Sequence, residues 1–126
     1  MRVLIVDDAE DFADYTRKRL KLRGIQAIVA GSGEAALAIL ETESVDVAVL
    51  DVLMPGMDGV ELLAEIKKRY AHLPVIMLTG HGTVETAREG LEKGAREYLL
   101  KPCDFNTLLG SIRKAYETVA GGIGGE

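Results

Sequence analysis

The chain has 126 residues, 48% of them hydrophobic, and its 20 acidic and 15 basic residues give a formal net charge of -5. This length suits one domain with a single core, and the acidic balance argues against direct binding of nucleic acid. No apolar run approaches the roughly 20 residues of a membrane-spanning helix, and the start is too short and too acidic for a signal peptide, so the sequence predicts a cytoplasmic protein that binds no membrane.

Short apolar runs alternate with longer segments of helical period, which predicts βαβ units and a parallel sheet. The strands are expected near residues 3–6, 25–30, 47–50, 75–78 and 98–100. Five helices fill the intervals. The last has the clearest apolar face, formed by Phe105, Leu108, Leu109, Ile112 and Tyr116. Asp104 stands directly before it, where it can cap the helix.

The strand order can be inferred from the polarity of the runs. Strands buried on both faces are continuously apolar, whereas edge strands carry polar residues. The second run contains Gln26, and the fifth follows Arg96 and Glu97, so these two strands are expected at the edges. The sequence therefore predicts an α/β fold, a doubly wound five-stranded parallel sheet of order 2-1-3-4-5 flanked by five helices.

Four of these strands end in residues that can do chemistry, namely Asp7-Asp8, Asp51, Thr79 and Lys101. The carboxyl ends of parallel strands share one edge, and ligands bind there where the strand order reverses. Clustered carboxylates repel each other unless they bind protons, basic groups or a cation, and Mg²⁺ is the natural cation for oxygen ligands. Such a site suits phosphoryl transfer to Asp51, with Lys101 and Thr79 on the transferred oxygens.

Each of these residues also has an ordinary structural explanation. Asp7 and Asp8 are good helix caps, Asp51 is typical of a turn, and Lys101 of solvated surface. Their joint position at the ends of four strands favours a single site instead.

Four motifs carry a resemblance to a known family. They are Leu4-Ile5-Val6-Asp7-Asp8, the stretch 50–59 (LDVLMPGMDG), Met77-Leu78-Thr79-Gly80, and Tyr98-Leu99-Leu100-Lys101-Pro102. The chain resembles the CheY-like receiver domain of two-component response regulators from Met1 to about Val119. This resemblance implies a receiver domain over residues 1–119. Residues 120–126 are rich in glycine, which predicts a flexible tail or the start of a linker.

The resemblance also implies the roles of the acidic residues. Asp51 is the expected phosphoacceptor. Asp7, Asp8 and Asp51 are the expected Mg²⁺ ligands together with the carbonyl of Leu53, and Asp8 is expected to bind the ion more directly than Asp7.

Further roles follow from the same resemblance. Thr79 and Lys101 are expected to bind the phosphoryl group and to act in catalysis with Asp51. Tyr98 matches the switch aromatic that turns inward when Thr79 moves toward the phosphoryl group. The peptide bond between Lys101 and Pro102 is expected to be cis, a conformation largely confined to proline.

The predicted function is a phosphorylation-activated switch. The phosphoryl group would come from a sensor histidine kinase or a histidine phosphotransfer protein, and the chain would catalyse only its own phosphorylation and dephosphorylation, which is not an ordinary enzyme activity. The signal would pass to a downstream protein or to a missing output domain. The fourth helix, fifth strand and fifth helix form the expected output surface and could pair two copies.

Three rival functions fit less well. A flavodoxin-like cofactor binder has this fold class but needs a hydroxyl- and glycine-rich loop after the first strand, where this chain has an acidic cluster. An aspartyl-phosphate-forming phosphatase needs an Asp-x-Asp pattern there, whereas Asp7 and Asp8 are adjacent. A metal-binding interaction module without phosphotransfer leaves the matched site unexplained.

A few residues have two open interpretations. Phe12, Tyr15 and Thr16 of the first helix either contact a kinase or simply pack. His81, two positions after Thr79, either borders the site or is polar surface. Cys103, the single cysteine, is expected to be inert.

Overall fold

Five strands alternate with five helices in the computed structural model, which describes residues 1–52, 54, 56–80 and 84–125. In chain order these elements are β1 Arg2–Val6, α1 Glu10–Leu22, β2 Gln26–Ala30, α2 Gly33–Thr42, β3 Val47–Leu50, α3 Gly59–Arg69, β4 Val75–Thr79, α4 Val84–Glu92, β5 Glu97–Leu100 and α5 Phe105–Gly125. No helix in the described part of the chain has the length and apolar content needed to cross a membrane.

The five strands form one parallel sheet in the order β2-β1-β3-β4-β5. The predicted fold class and strand order are therefore confirmed, and β2 and β5 lie at the edges. The physical reason is that central strands are buried on both faces and edge strands are not. Every residue of β3 and β4 is buried, whereas β2 and β5 each contain exposed positions. The order reverses between β1 and β3, which places the switch point at their carboxyl ends.

Two helical layers cover the sheet. Alternate residues of β1 point to opposite faces, so Val3 and Ile5 pack with α1 and α5, whereas Leu4 and Val6 pack with α2 and α3. The expected apolar face of α5 is confirmed, since Leu108, Leu109 and Ile112 are buried and Phe105 and Tyr116 pack at its margin. Both faces of the sheet are thus filled, which leaves the strand ends to carry polar groups.

Several helix starts are stabilised by side-chain caps. The backbone N–H of Asn106 donates to Oδ2 of Asp104 at 3.1 Å, which confirms the predicted cap of α5. At α3, the side chains and backbones of Asp58 and Glu61 exchange the two hydrogen bonds of a capping box. The helical backbone of α5 includes residues 120–125, where we expected a flexible tail. The domain division at residue 119 stays a prediction.

Candidate functional site

Hydrogen bonds between neighbouring strands bring the predicted strand ends to one edge of the sheet. The backbone N–H of Asp51 donates to the carbonyl of Val6 at 2.9 Å, which fixes Asp51 beside the end of β1. On the other side, the backbone N–H of Lys101 donates to the carbonyl of Thr79, also at 2.9 Å. The register of the parallel sheet therefore places all four predicted strand ends on the same edge.

Three carboxylates converge at the switch point. Asp7, Asp8 and Asp51 each offer an oxygen, and these oxygens lie within 4.8 Å of one another. The side chains of Asp7 and Asp51 are almost fully buried, with 3% and 5% of their surface exposed, whereas Asp8 is exposed. Three negative charges this close, two of them removed from water, make a site whose donor set suits a hard divalent cation.

Both oxygens of Asp7 already have protein partners. Its Oδ1 accepts the backbone N–H of Ala9 at 2.9 Å, and its Oδ2 accepts the Lys101 ammonium at 2.6 Å. Asp7 therefore does not act as the cap of α1, which begins after Ala9 and has no side-chain cap. Since both carboxylate oxygens of Asp7 already accept hydrogen bonds, Asp8 and Asp51 are the carboxylates best placed to receive an ion directly.

The Asp51 carboxylate is oriented by its own backbone neighbour. Its Oδ1 accepts the N–H of Val52 at 2.8 Å, a short bond in a buried setting. The next close contact comes from Gly59 at the start of α3, whose N–H donates to the Val52 carbonyl at 2.7 Å. A Cβ placed on Gly59 would lie 1.9 Å from the backbone oxygen of Asp51, so only glycine fits there.

Lys101 is held on two sides. Besides its ion pair with Asp7, its Nζ lies 4.2 Å from the centre of the Phe12 ring. This is the geometry of a cation-π contact, which orients the ammonium as well as attracting it. From the sequence we expected Phe12 either to contact a kinase or to pack, and this third role was missed. The available signal was its place in the first turn of the helix that follows Asp7 and Asp8, because that turn must adjoin the end of β1.

Thr79 and Tyr98 occupy neighbouring strands on the far side of the site. Thr79 is the last residue of β4 and is fully buried. Tyr98 in β5 is partly buried, its hydroxyl lies 3.1 Å from Oγ1 of Thr86 in α4, and its ring faces Gly90. The aromatic residue therefore bridges β5 and α4, where its position can be coupled to events at the strand ends.

Two of the residues predicted to belong to the site or to border it, Leu53 and His81, lie outside the described residues. The Leu53 carbonyl as a metal ligand therefore stays a prediction. The Lys101-Pro102 peptide bond is cis in the structure, as expected.

Cys103 lies just beyond this bond and is partly buried. Burial raises the pKa of its thiol, and the charges of Asp104 and Glu97 raise it further. The thiolate is therefore disfavoured, which makes this cysteine a weak nucleophile, in line with the expectation that it is inert.

Comparison with protein families gives a match over most of the chain. The model of the response regulator receiver domain matches residues 3–113. FleR, a response regulator protein of Pseudomonas aeruginosa, is 39% identical over 113 residues, which cover 90% of this chain and 24% of that protein. The heme response regulator HssR of Staphylococcus epidermidis is 39% identical over 110 residues, covering 87% and 49%. The chain thus spans about a quarter to a half of the curated relatives it matches.

Solved structures give the same match at the level of the fold. A CheY-like receiver domain protein from Methanospirillum hungatei superposes with a TM-score of 0.91 at 32% identity, covering 94% of this chain and 95% of that one. The receiver domain of NtrX from Brucella abortus has a TM-score of 0.87 at 35% identity, covering 92% and 98%. Both likenesses extend over nearly the whole of the two chains compared.

Proposed function

Because this chain belongs to the response regulator receiver domain family of two-component systems, we propose that it is a switch controlled by phosphorylation of Asp51. The phosphoryl group comes from a sensor histidine kinase or a histidine phosphotransfer protein. The observation that carries this proposal is the gathering of the Asp7, Asp8 and Asp51 oxygens within 4.8 Å, with the Lys101 ammonium at the same edge. A nucleophile, a cation site and a fixed positive charge are the parts that phosphoryl transfer requires.

The cation is Mg²⁺, held by Asp7, Asp8 and Asp51. Asp8 and Asp51 bind it most directly, since both oxygens of Asp7 are engaged by Ala9 and Lys101. The Leu53 carbonyl is the expected fourth protein ligand. The ion supplies positive charge that allows a phosphoryl dianion to approach the carboxylates.

The transfer itself needs little covalent chemistry from the protein. An Asp51 carboxylate oxygen forms a bond to phosphorus while the bond from phosphorus to the donor's imidazole nitrogen breaks, and the imidazole leaves with that electron pair. Lys101 and Thr79 bind the transferred oxygens and offset their charge. In hydrolysis, water attacks phosphorus and the new O–P bond breaks, which releases inorganic phosphate and returns the Asp51 carboxylate. The chain is thus the substrate of the reaction it assists, and it acts on no other molecule.

The signal leaves through the surface of α4, β5 and α5. Tyr98 connects the strand end to α4 through Thr86, so a shift of Thr79 toward the phosphoryl group changes the packing of this surface. Leu91 and Leu100 lie on it with 48% and 56% of their surface exposed, which gives an apolar area for a partner. The partner is an output domain, a separate downstream protein or a second copy, and the receiver domain comprises residues 1–119.

The test is phosphorylation by a small donor. We would incubate the protein with Mg²⁺ and acetyl phosphate and measure intact masses of wild type, Asp51→Asn and the matched control Asp11→Asn, which removes an exposed carboxylate on the first turn of α1. Wild type and Asp11→Asn should gain one acid-stable, base-labile phosphoryl group, and Asp51→Asn none. If no variant is phosphorylated although calorimetry shows Mg²⁺ binding, the chain is a metal-binding interaction module instead.

A further inference from the structure

Apart from its short length, the edge strand β2 lacks the features that normally prevent strands from pairing between molecules. Its residues, Gln26–Ala30, include no charged side chain and no proline, and only Gln26 is exposed. Natural edge strands are usually protected by lysine, proline or a bulge. No strand among the described residues pairs with the outer side of β2. The strand is therefore suited to accept another strand.

The register of β1 and β2 shows which backbone groups face outward. The N–H of Gln26 donates to the carbonyl of Met1 at 3.3 Å, and the carbonyl of Ala30 accepts the N–H of Asp7 at 3.0 Å. Successive residues of a strand direct their N–H and C=O groups to opposite sides, so positions 26, 28 and 30 bond to β1. The two residues between them, Ala27 and Val29, direct theirs away from the sheet.

We propose that β2 pairs antiparallel with β2 of a second copy of this chain, about a two-fold axis at Ile28. In this register Ala27 stands opposite Val29 of the second copy, and the reverse pair is generated by the symmetry. Each pair exchanges two N–H···O bonds, so all outward groups of these two residues are used in four bonds. Ile28 meets its own copy on the α2 face, where its half-buried side chain gains apolar contact.

The charges of α1 fit the same two-fold axis. A groove beside the start of β2 is lined by Arg17 and Lys21, and a groove beside its end by Glu10, Asp11 and Asp14. An antiparallel arrangement places the start of one β2 against the end of the other. The basic end of each copy therefore meets the acidic end of its partner, which is the self-complementarity that an isologous interface requires.

The charged groups near the middle of this interface are paired within each copy. Arg17 lines both grooves and so lies near the two-fold axis, where two copies of it approach each other. Its guanidinium is already paired with Asp14 at 2.6 Å. Asp14 also pairs with Lys18 at 3.0 Å, so it serves two cations of the same helix. Lys21 and Asp11 remain as the groups that attract across the axis.

The dimer is expected to be weak because its interface is small. A pair of five-residue strands with one helix on each side buries less area than the roughly 1,200–2,000 Å² of a stable interface. A dissociation constant on the order of 100 μM is expected for contacts of this extent. The pairing uses the edge opposite β5, so it is independent of the proposed phosphorylation and leaves the α4, β5 and α5 surface open.

The first test is sedimentation equilibrium from about 10 μM to 1 mM, a range set by that expected constant. Wild type should approach a dimer at the upper end, and Val29→Pro should associate at least about ten-fold more weakly, because proline removes an outward N–H that β1 does not use. A wild type that stays monomeric throughout, or a dimer that Val29→Pro leaves intact, overturns the proposal. The second of these outcomes means that the copies pair through another surface.

A charge exchange tests the pairing without altering the strand. Lys21→Glu and Asp11→Lys should each weaken association, and the double variant should recover it, because the reversed charges again meet across the axis. Circular dichroism checks that each variant is folded. Failure of the double variant to recover association overturns the antiparallel register. Acetyl phosphate labelling of the same variants keeps this result separate from the proposed function, since a loss of dimer with normal labelling contradicts neither the site nor its chemistry.

Discussion

Two half-buried lysines, Lys101 and Lys67, are held by different kinds of acceptor in different parts of the molecule. Lys67, near the end of α3, donates to the backbone carbonyls of Ala71 at 3.1 Å and Leu73 at 2.7 Å. Lys101, at the carboxyl edge of the sheet, donates to the buried carboxylate of Asp7. The first is satisfied by neutral groups of a loop, the second by a charged group with further carboxylates beside it.

This difference separates a structural charge from a functional one. Around Lys67 the hydrogen bonds tie the end of α3 to the loop before β4, and its stem packs on Gly94. At the sheet edge, the Lys101 ammonium offsets one carboxylate of a cluster of three, so the cluster favours a further cation. The balance of charge, rather than burial alone, distinguishes the region that we propose to bind a cation and a phosphoryl group.

Disrupting the close approach of α3 to Asp51 should have the largest effect on the proposed site. In Gly59→Ala the new Cβ would overlap the Asp51 backbone oxygen, so the start of α3 must move. We expect a loss of about 3 kcal/mol in the free energy of unfolding, measured by urea titration, and weaker Mg²⁺ binding. Gly110→Ala on α5, where an added Cβ meets nothing within 4 Å, is the matched control and should be neutral or stabilising. Equal effects at both positions would show that the close approach of Gly59 to Asp51 is not the cause.

Lys101→Met tests the functional lysine. Phosphorylation by acetyl phosphate should slow by about 100-fold, because one of the groups that offsets phosphoryl charge is lost. Mg²⁺ should bind several-fold more tightly, since a positive charge near the ion has been removed. Calorimetry measures the second effect. Weaker Mg²⁺ binding in this variant would mean that Lys101 organises the acidic cluster instead of competing with the cation.

Lys67→Met tests the structural lysine, and it should leave phosphorylation unchanged. Loss of the hydrogen bonds to two loop carbonyls should cost about 1–2 kcal/mol in the free energy of unfolding at neutral pH. A change in phosphorylation rate as large as that of Lys101→Met would erase the distinction between the two lysines.

The pH dependence of stability gives Lys67 a second test. Burial, and then the charge of Arg96, hold its pKa below the ordinary value of 10.5. The unfolded chain therefore binds more protons than the folded one between the lowered pKa and 10.5, so this group makes stability rise with pH in that window. Urea midpoints of wild type relative to Lys67→Met should shift in favour of wild type as the pH approaches 10.5. A shift in the opposite direction would contradict the burial of this ammonium.

Phe12→Leu should have the smallest effect. It keeps an apolar side chain on α1 but removes the ring that faces the Lys101 ammonium. We expect phosphorylation to slow by about two- to five-fold, the usual strength of an exposed cation-π contact, and Phe12→Tyr to retain the wild-type rate. If Phe12→Tyr slows the reaction as much as Phe12→Leu, the residue acts through packing alone.

The fold could be predicted because its signals are local. The runs at residues 47–50 and 75–78, which lie in β3 and β4, are purely apolar, whereas β2 contains Gln26 and β5 contains Glu97. This difference was sufficient to order the strands. The position of the acidic cluster then followed from topology, since the carboxyl ends of parallel strands share an edge. Both inferences need only the composition of each segment.

Contacts between distant segments could not be predicted in the same way. The ion pair of Lys101 with Asp7 joins residues 94 positions apart, and the approach of Gly59 to Asp51 depends on the exact entry of α3. Such contacts are set by three-dimensional packing, which leaves no periodic trace in the sequence. Phe12 illustrates how far sequence-based prediction extends. Its nearness to the end of β1 can be inferred from the sequence, but its contact with Lys101 cannot.

The most direct measurement locates the phosphoryl group on the chain. After incubation with Mg²⁺ and acetyl phosphate, borohydride reduction converts an aspartyl phosphate to homoserine, and peptide mass mapping identifies the converted residue. We predict homoserine at position 51 and unmodified aspartate at Asp7 and Asp8. Conversion at either of those residues, or at none, would contradict the assignment of Asp51 as the phosphoacceptor.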